Sequence, residues 1–232
     1  LKAAGYSSHP GWEGREEAFH DYYYKEVEEV LADRVNASRY SHPATGKWTG
    51  PKEAFRDFYF ADRMESWLEE ASQQDQPFAA FFSIPSPHPP LMVPEPYASR
   101  YPPDSLELPP HLGQPAHGEP PSRDRCVARQ LARDASEADI RKAWAAHLGL
   151  LGVADDCFGR ILDALERLGL DGRTLVLFTS DHGHHLGCNR MFGINELYEQ
   201  TVHVPLVARL PGGPAGRCAG LCSHLDIVPT LF

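Results

Sequence analysis

Ser180-Asp181-His182-Gly183 sets a carboxylate and an imidazole on adjacent residues, the oxygen and nitrogen donors that suit a divalent cation. They follow the apolar run Leu175-Val176-Leu177-Phe178, itself preceded by Gly169 and Asp171-Gly172. Such a run reads as a strand buried on both faces of a parallel sheet. Open α/β sheets bind ligands just beyond the carboxyl ends of their strands, which is where Asp181 and His182 fall. A second candidate is His88, in Pro85-Ser86-Pro87-His88-Pro89-Pro90 at the end of the apolar segment Phe78 to Ile84. Proline removes backbone freedom that would otherwise be lost on ordering, so an imidazole on this loop is held ready. His184 and His185 beside His182 raise the alternative of a zinc cluster. Tandem histidines on a loop are more commonly solvated, and the adjacent donor is an oxygen.

The string S-D-H-G-x-x-L-G from Ser180, followed by Tyr198-Glu199, His203-Val204-Pro205-Leu206 and Leu210-Pro211-Gly212, resembles the second half of the sulfatase family, in the alkaline-phosphatase-like superfamily. The resemblance implies a three-layer αβα sandwich with a mostly parallel sheet, here incomplete at both ends. It also implies metal-dependent hydrolysis of small-molecule or sugar sulfate esters. One Ca2+ or Mg2+ would be held by Asp181 and His182, and the P-H-x-P histidine, His88, would be catalytic by donating a hydrogen bond to the sulfate. A phosphonate monoester or phosphodiester hydrolase of the same superfamily shares the Asp-His-Gly pattern and the P-H-P-P loop, and a non-catalytic relic is a further alternative.

Sulfatases use a formylglycine nucleophile made from C/S-x-P/A-x-R, and no cysteine or serine of this chain satisfies that pattern. The nearest string, Cys126-Val127-Ala128-Arg129-Gln130, has Gln130 where arginine is required. The family's two first-strand aspartates have no counterpart either. The chain alone is therefore expected to be inactive. Spacing from Asp181 places the family's sulfate-neutralising lysine at or beside Ile194 and a frequent histidine at Asn189; no lysine lies in 190–195, leaving Arg190 as the nearby cation. Gly46-Lys47-Trp48 continues with Thr49, not the family's histidine, and reads as a turn. Asp155, Gly159 and Arg160 resemble the family's D-x-x-x-G-R and read as helix packing.

The elements that would carry these groups follow from periodicity. Apolar residues at Ile140, Trp144, Leu148, Leu151, Phe158, Ile161, Leu162, Leu165 and Leu168 recur at three and four, predicting one amphipathic helix over 138–168 that ends at Gly169. Another helix is expected around Phe55, Phe58, Tyr59, Met64, Trp67 and Leu68. Strands are expected at 78–84, 174–179 and 204–210. Between Pro85 and Pro121 stand 13 of the 21 prolines, too many for a helix or a ladder, so 85–121 reads as a long surface excursion along an active-site rim. Tyr22, Tyr23 and Tyr24 read as packing, with sugar or aryl binding as the alternative. The opening Leu1-Lys2-Ala3-Ala4-Gly5 reads as beginning within a domain, so residues 1–232 are expected to be one partial catalytic domain.

Composition sets outer bounds. With 232 residues, 42% of them hydrophobic, the chain can build one sizeable core. A net charge of -10 without a basic block argues against nucleic acid as a partner. No stretch reaches the ~20 apolar residues of a membrane span, and the start lacks the regions of a signal peptide. Cys126, Cys157, Cys188, Cys218 and Cys222 are odd in number and scattered, which argues against a disulfide framework.

Overall fold

Two long helices organise the computed structural model, which describes residues 45–110 and 112–231. The Tyr22–Tyr24 run and the rest of residues 1–44 lie outside the described residues. The first strand, β1 (Thr45–Trp48), leads through a 3-10 turn at Lys52–Ala54 into helix α1 (Arg56–Ser72), which buries Phe58, Ala61, Leu68 and Ala71 along one stripe. Strand β2 (Leu91–Pro94) and the single turn α2 (Tyr97–Arg100) lie within the proline-rich excursion. Helix α3 (Val127–Ala132) precedes the long helix α4 (Glu137–Arg167). Strand β3 (Val176–Thr179), the turn α5 (Glu199–Val202), strand β4 (Leu206–Arg209) and α6 (Ile227–Leu231) complete the order.

The long helix starts where its sequence says it should. Ser136 Oγ accepts the Asp139 N–H at 3.1 Å while Asp139 Oδ2 accepts the Ser136 N–H at 3.0 Å, a reciprocal cap that satisfies two end donors. Its buried positions, Ala143, Leu150, Val153, Cys157, Ile161 and Ala164, keep the three-and-four spacing. Small residues on this face let other backbone come close. A Cβ added at Gly149 would stand 2.7 Å from Val93 Cγ1 and 3.0 Å from the Tyr97 carbonyl, so β2 and α2 press on α4 only because glycine is there. Against α1 the contact is apolar, Leu68 meeting Ile161, Ala164 and Leu165, with an ionic edge: Arg160 donates to Asp62 at 2.7 Å and to Glu65 at 2.6 Å, tying the Asp155-Gly159-Arg160 stretch to helix packing.

Among the described residues the strands form two separate two-stranded sheets, and the parallel one is β1 against β2, with Thr45 opposite Leu91 and Trp48 opposite Pro94. Gly46-Lys47-Trp48 is thus a strand and not the turn read from sequence. Trp48 drives this, with 3% of its surface exposed, its ring edge-on to Phe55 and its indole N–H on the Pro51 carbonyl at 3.1 Å. The excursion also holds more regular structure than its prolines indicate, because Leu91-Met92-Val93 is a proline-free apolar triplet that can pair before Pro94 ends the ladder.

The second pair, β3 with β4, is antiparallel, with Val176 opposite Arg209 and Thr179 opposite Leu206. The chain leaves β3 and re-enters β4 at the same end of the pair, a return that an antiparallel neighbour accepts without a crossover. Expected burial on both faces is not met among the described residues. Phe178 stacks edge-on against Phe158 of α4, yet it is 38% exposed, and β4 is exposed along its length. Residues 78–84 form no ladder among the described residues. Phe78 and Phe82 pack on Trp67 and Phe158 respectively, while Phe81 on the opposite face is 89% exposed.

Candidate metal and anion site

Asp181 and His182 sit just past β3, as strand polarity requires, on a loop strapped to its neighbours by backbone. The Gly183 N–H donates to the Thr201 carbonyl at 2.9 Å, and a Cβ on Gly183 would stand 2.1 Å from the Gln200 carbonyl oxygen. Only glycine fits, which explains the third residue of Asp-His-Gly. Thr179 Oγ1 donates to the Pro205 carbonyl at 2.9 Å and lies 3.2 Å from His224 Nε2, closing the strand end against the segments around β4.

The donor atoms themselves converge. Asp181 Oδ1 accepts the His182 N–H at 2.9 Å, and His182 Nδ1 lies 3.0 Å from the Gly183 carbonyl. A carbonyl can only accept, so Nδ1 carries the proton and Nε2 presents a lone pair. That lone pair faces Asp181 Oδ2 at 3.4 Å, and the Asp181 side chain is 82% exposed. The two donor atoms lie close enough to share one cation. An imidazole whose other N–H is held by a carbonyl is also the arrangement metal-binding histidines use. Among the described residues no group of three or more such side chains gathers to hold a metal, so the loop offers a pair of ligands.

The rest of this loop is fastened from behind. Arg129, buried on α3, donates to the Asn189 carbonyl at 2.9 Å and to Asp124 at 2.8 Å, and is paired with Glu119, which also accepts from the Tyr198 hydroxyl. Phe192 N–H reaches the Ala128 carbonyl at 2.8 Å, and Trp144 Nε1 reaches that of Leu186 at 2.8 Å. Sequence reading missed Glu119 and Arg129. The available signal was an arginine within the otherwise apolar start of the helix after Cys126.

The tandem histidines are not solvated. His185 is fully buried against the Tyr198 ring, and burial holds its imidazole below its ordinary range. His184 turns toward His147 of α4, whose own burial lowers its pKa to about 4. At the positions where the family places a histidine and a lysine, Asn189 is buried and bonded to Gln200 at 3.0 Å, and Ile194 is 38% exposed.

His88 stands on a separate loop. Its N–H donates to the Pro85 carbonyl at 2.7 Å, and its Nδ1 donates to the Pro89 carbonyl, turning Nε2 outward. Below it lies a small cavity lined by Phe55, Asp57, Ser86, Met92 and Leu150. None of its lining comes from the Asp181–His182 loop. Asp57 is 2% exposed, and burial raises its carboxyl above the usual range; its Oδ1 accepts the Ser86 N–H at 3.0 Å. A wider cleft of about 520 Å³ between α1 and α4 is lined by Lys52, Asp62, Asp155, Asp156, Arg160 and Asp163, and contains none of the site residues inferred above.

A family model described as Sulfatase matches residues 1–232. A protein named Sulfatase from Formosa agariphila is 28% identical over 174 residues, covering 72% of this chain and 34% of its own length. Arylsulfatase K of Bos taurus is 29% identical over 189 residues, covering 74% of this chain and again 34% of its own length. The chain thus spans about a third of the curated relatives it matches. Among solved structures, the phosphonate monoester hydrolase of Agrobacterium radiobacter superposes with a TM-score of 0.61 at 25% identity, over 85% of this chain and 42% of that one.

Proposed function

Because the chain belongs to the sulfatase family, we propose that it forms part of a metal-dependent hydrolase of sulfate esters, to which it contributes Asp181 and His182 as cation ligands and His88 as a donor to the sulfate. The fold is the alkaline-phosphatase-like α/β architecture. The observation that carries the metal assignment is the Asp181 Oδ2 to His182 Nε2 separation of 3.4 Å with a lone pair on each atom. A carboxylate oxygen and an imidazole nitrogen would serve either calcium or magnesium, the two cations the family resemblance implies.

When bound, the cation would polarise the ester and neutralise its charge. His88 acts on the same anion from another side. With its Nδ1 turned to the Pro89 carbonyl, Nε2 is the ring nitrogen left to face the sulfate. Removing a donor of this kind costs roughly 2 to 4 kcal/mol of transition-state stabilisation. The formylglycine nucleophile of the family does not fit any cysteine or serine here, since Cys126-Val127-Ala128-Arg129-Gln130 lacks the arginine; no step is assigned to it in this chain. Residues 85–121 are assigned to the rim of the site, supported by the grip of Glu119 on Arg129 behind the Asp181 loop.

The substrate test is turnover of p-nitrophenyl sulfate by the intact protein, compared with p-nitrophenyl phenylphosphonate. The phosphonate reading is kept because the solved phosphonate monoester hydrolase covers 85% of this chain. Faster turnover of the sulfate supports the proposal; a preference for the phosphonate, or no turnover of either, overturns it.

A further inference from the structure

Between Pro85 and Pro90, four of six residues are proline, so Ser86 and His88 carry the only backbone N–H groups of the turn. His88 N–H closes the turn on itself through the Pro85 carbonyl at 2.7 Å. Ser86 N–H is therefore the one backbone donor left to fasten the turn to the rest of the protein, and it goes to Asp57 Oδ1 at 3.0 Å. Asp57 is 2% exposed and shares its cavity with Phe55, Met92, Leu150 and the cationic Arg56, which also favours its carboxylate. An ionisable group in such surroundings costs more than an apolar side chain of the same size, unless it satisfies a polar group that would otherwise be orphaned. The Ser86 amide is that group.

We propose that Asp57 is a positioning residue for His88: from α1 it accepts the Ser86 amide and so fixes the proline-stiffened turn that presents the His88 imidazole. This rests on the reading of His88 as the sulfate donor. The role needs an acceptor and not a charge. Asn at position 57 retains an acceptor of the same shape, whereas Ala and Leu do not.

The test separates this proposal from the reading beneath it. Hydrogen exchange on the intact protein reads the Ser86 and His88 amides, and kinetics on p-nitrophenyl sulfate read the use of His88. Asp57→Ala and Asp57→Leu should speed Ser86 exchange at least about tenfold and lower kcat by roughly ten- to a hundredfold, as misplacement of a reacting group does, with calcium affinity unchanged. Asp57→Asn should restore kcat to within about threefold of wild type. If Asp57→Ala fails to fold, Asp57→Leu, which fills the cavity, carries the test. Unaltered Ser86 exchange in Asp57→Leu, or a kcat equal to wild type despite faster exchange, overturns the proposal. Absence of sulfate turnover in the wild type would instead overturn the sulfatase reading, and with it the role of Asp57 toward His88, while the exchange data would still report on the Asp57–Ser86 bond.

Discussion

Gly183→Ala should be among the most damaging single-methyl changes in this protein, because the obstacle is backbone. The new Cβ would stand 2.1 Å from the Gln200 carbonyl oxygen and 3.1 Å from its carbon. Carbon and oxygen rarely approach closer than about 3.3 Å, so the carbonyl must retreat by roughly 1 Å. That retreat carries Thr201 with it and breaks the 2.9 Å bond from the Gly183 N–H. Loss of a partly buried backbone bond costs about 1 to 3 kcal/mol, and the displaced turn adds strain, giving about 2 to 4 kcal/mol in total. Gly159→Ala is the control. It lies inside α4 with nothing within 4 Å of the added carbon, so it should stabilise by about 0.5 to 1 kcal/mol. Urea denaturation of the intact variants reads both, and a Gly183→Ala protein within about 0.5 kcal/mol of wild type would refute the steric account.

Acid should weaken the fold through His147, whose pKa is lowered to about 4 by burial. The unfolded chain takes up that proton near pH 6.5, so stability falls between about pH 6.5 and 4 and flattens below, by about 3 kcal/mol in all. His147→Leu should flatten this part of the urea-midpoint profile. Arg129→Met leaves Glu119 buried with its charge partner gone and should cost roughly 3 to 5 kcal/mol, whereas Arg129→Met with Glu119→Gln should recover part of it; a double-mutant cycle in urea measures the difference. The chain made alone should show only background hydrolysis of p-nitrophenyl sulfate and should associate through its exposed β4 edge, which carries Val207 at 58% exposure and is followed by Leu210 at 61%. Size exclusion with scattering checks the association, and a sharp monomeric melt would contradict it.

What was legible in the sequence was whatever local chemistry decides. The helix over 138–168 was readable because apolar spacing and the glycine stop act within one or two turns, and the observed α4 is Glu137–Arg167. The placing of Asp181 and His182 beyond a strand was readable for the same reason. The features that escaped depend on partners far along the chain. Gly46-Lys47-Trp48 becomes a strand only because Leu91–Pro94 lies beside it. Conversely, 78–84 has strand-like residues but no paired neighbour among the described residues, so its phenylalanines pack on helices instead. Nothing local marks Asp57, since the Ser86 amide that occupies it is 29 residues away. His185 read as solvated because nothing local announces that Tyr198 will cover it.

The central claim is that Asp181 and His182 hold a cation while His88 serves the anion. Calorimetric titration of calcium into the intact protein tests it most directly. Asp181→Ala should lower calcium affinity at least about tenfold, since a charged ligand is lost from the shell, whereas His88→Ala should leave it unchanged. Unchanged affinity in Asp181→Ala, or an equal loss in both variants, would contradict the assignment of this loop as the metal site.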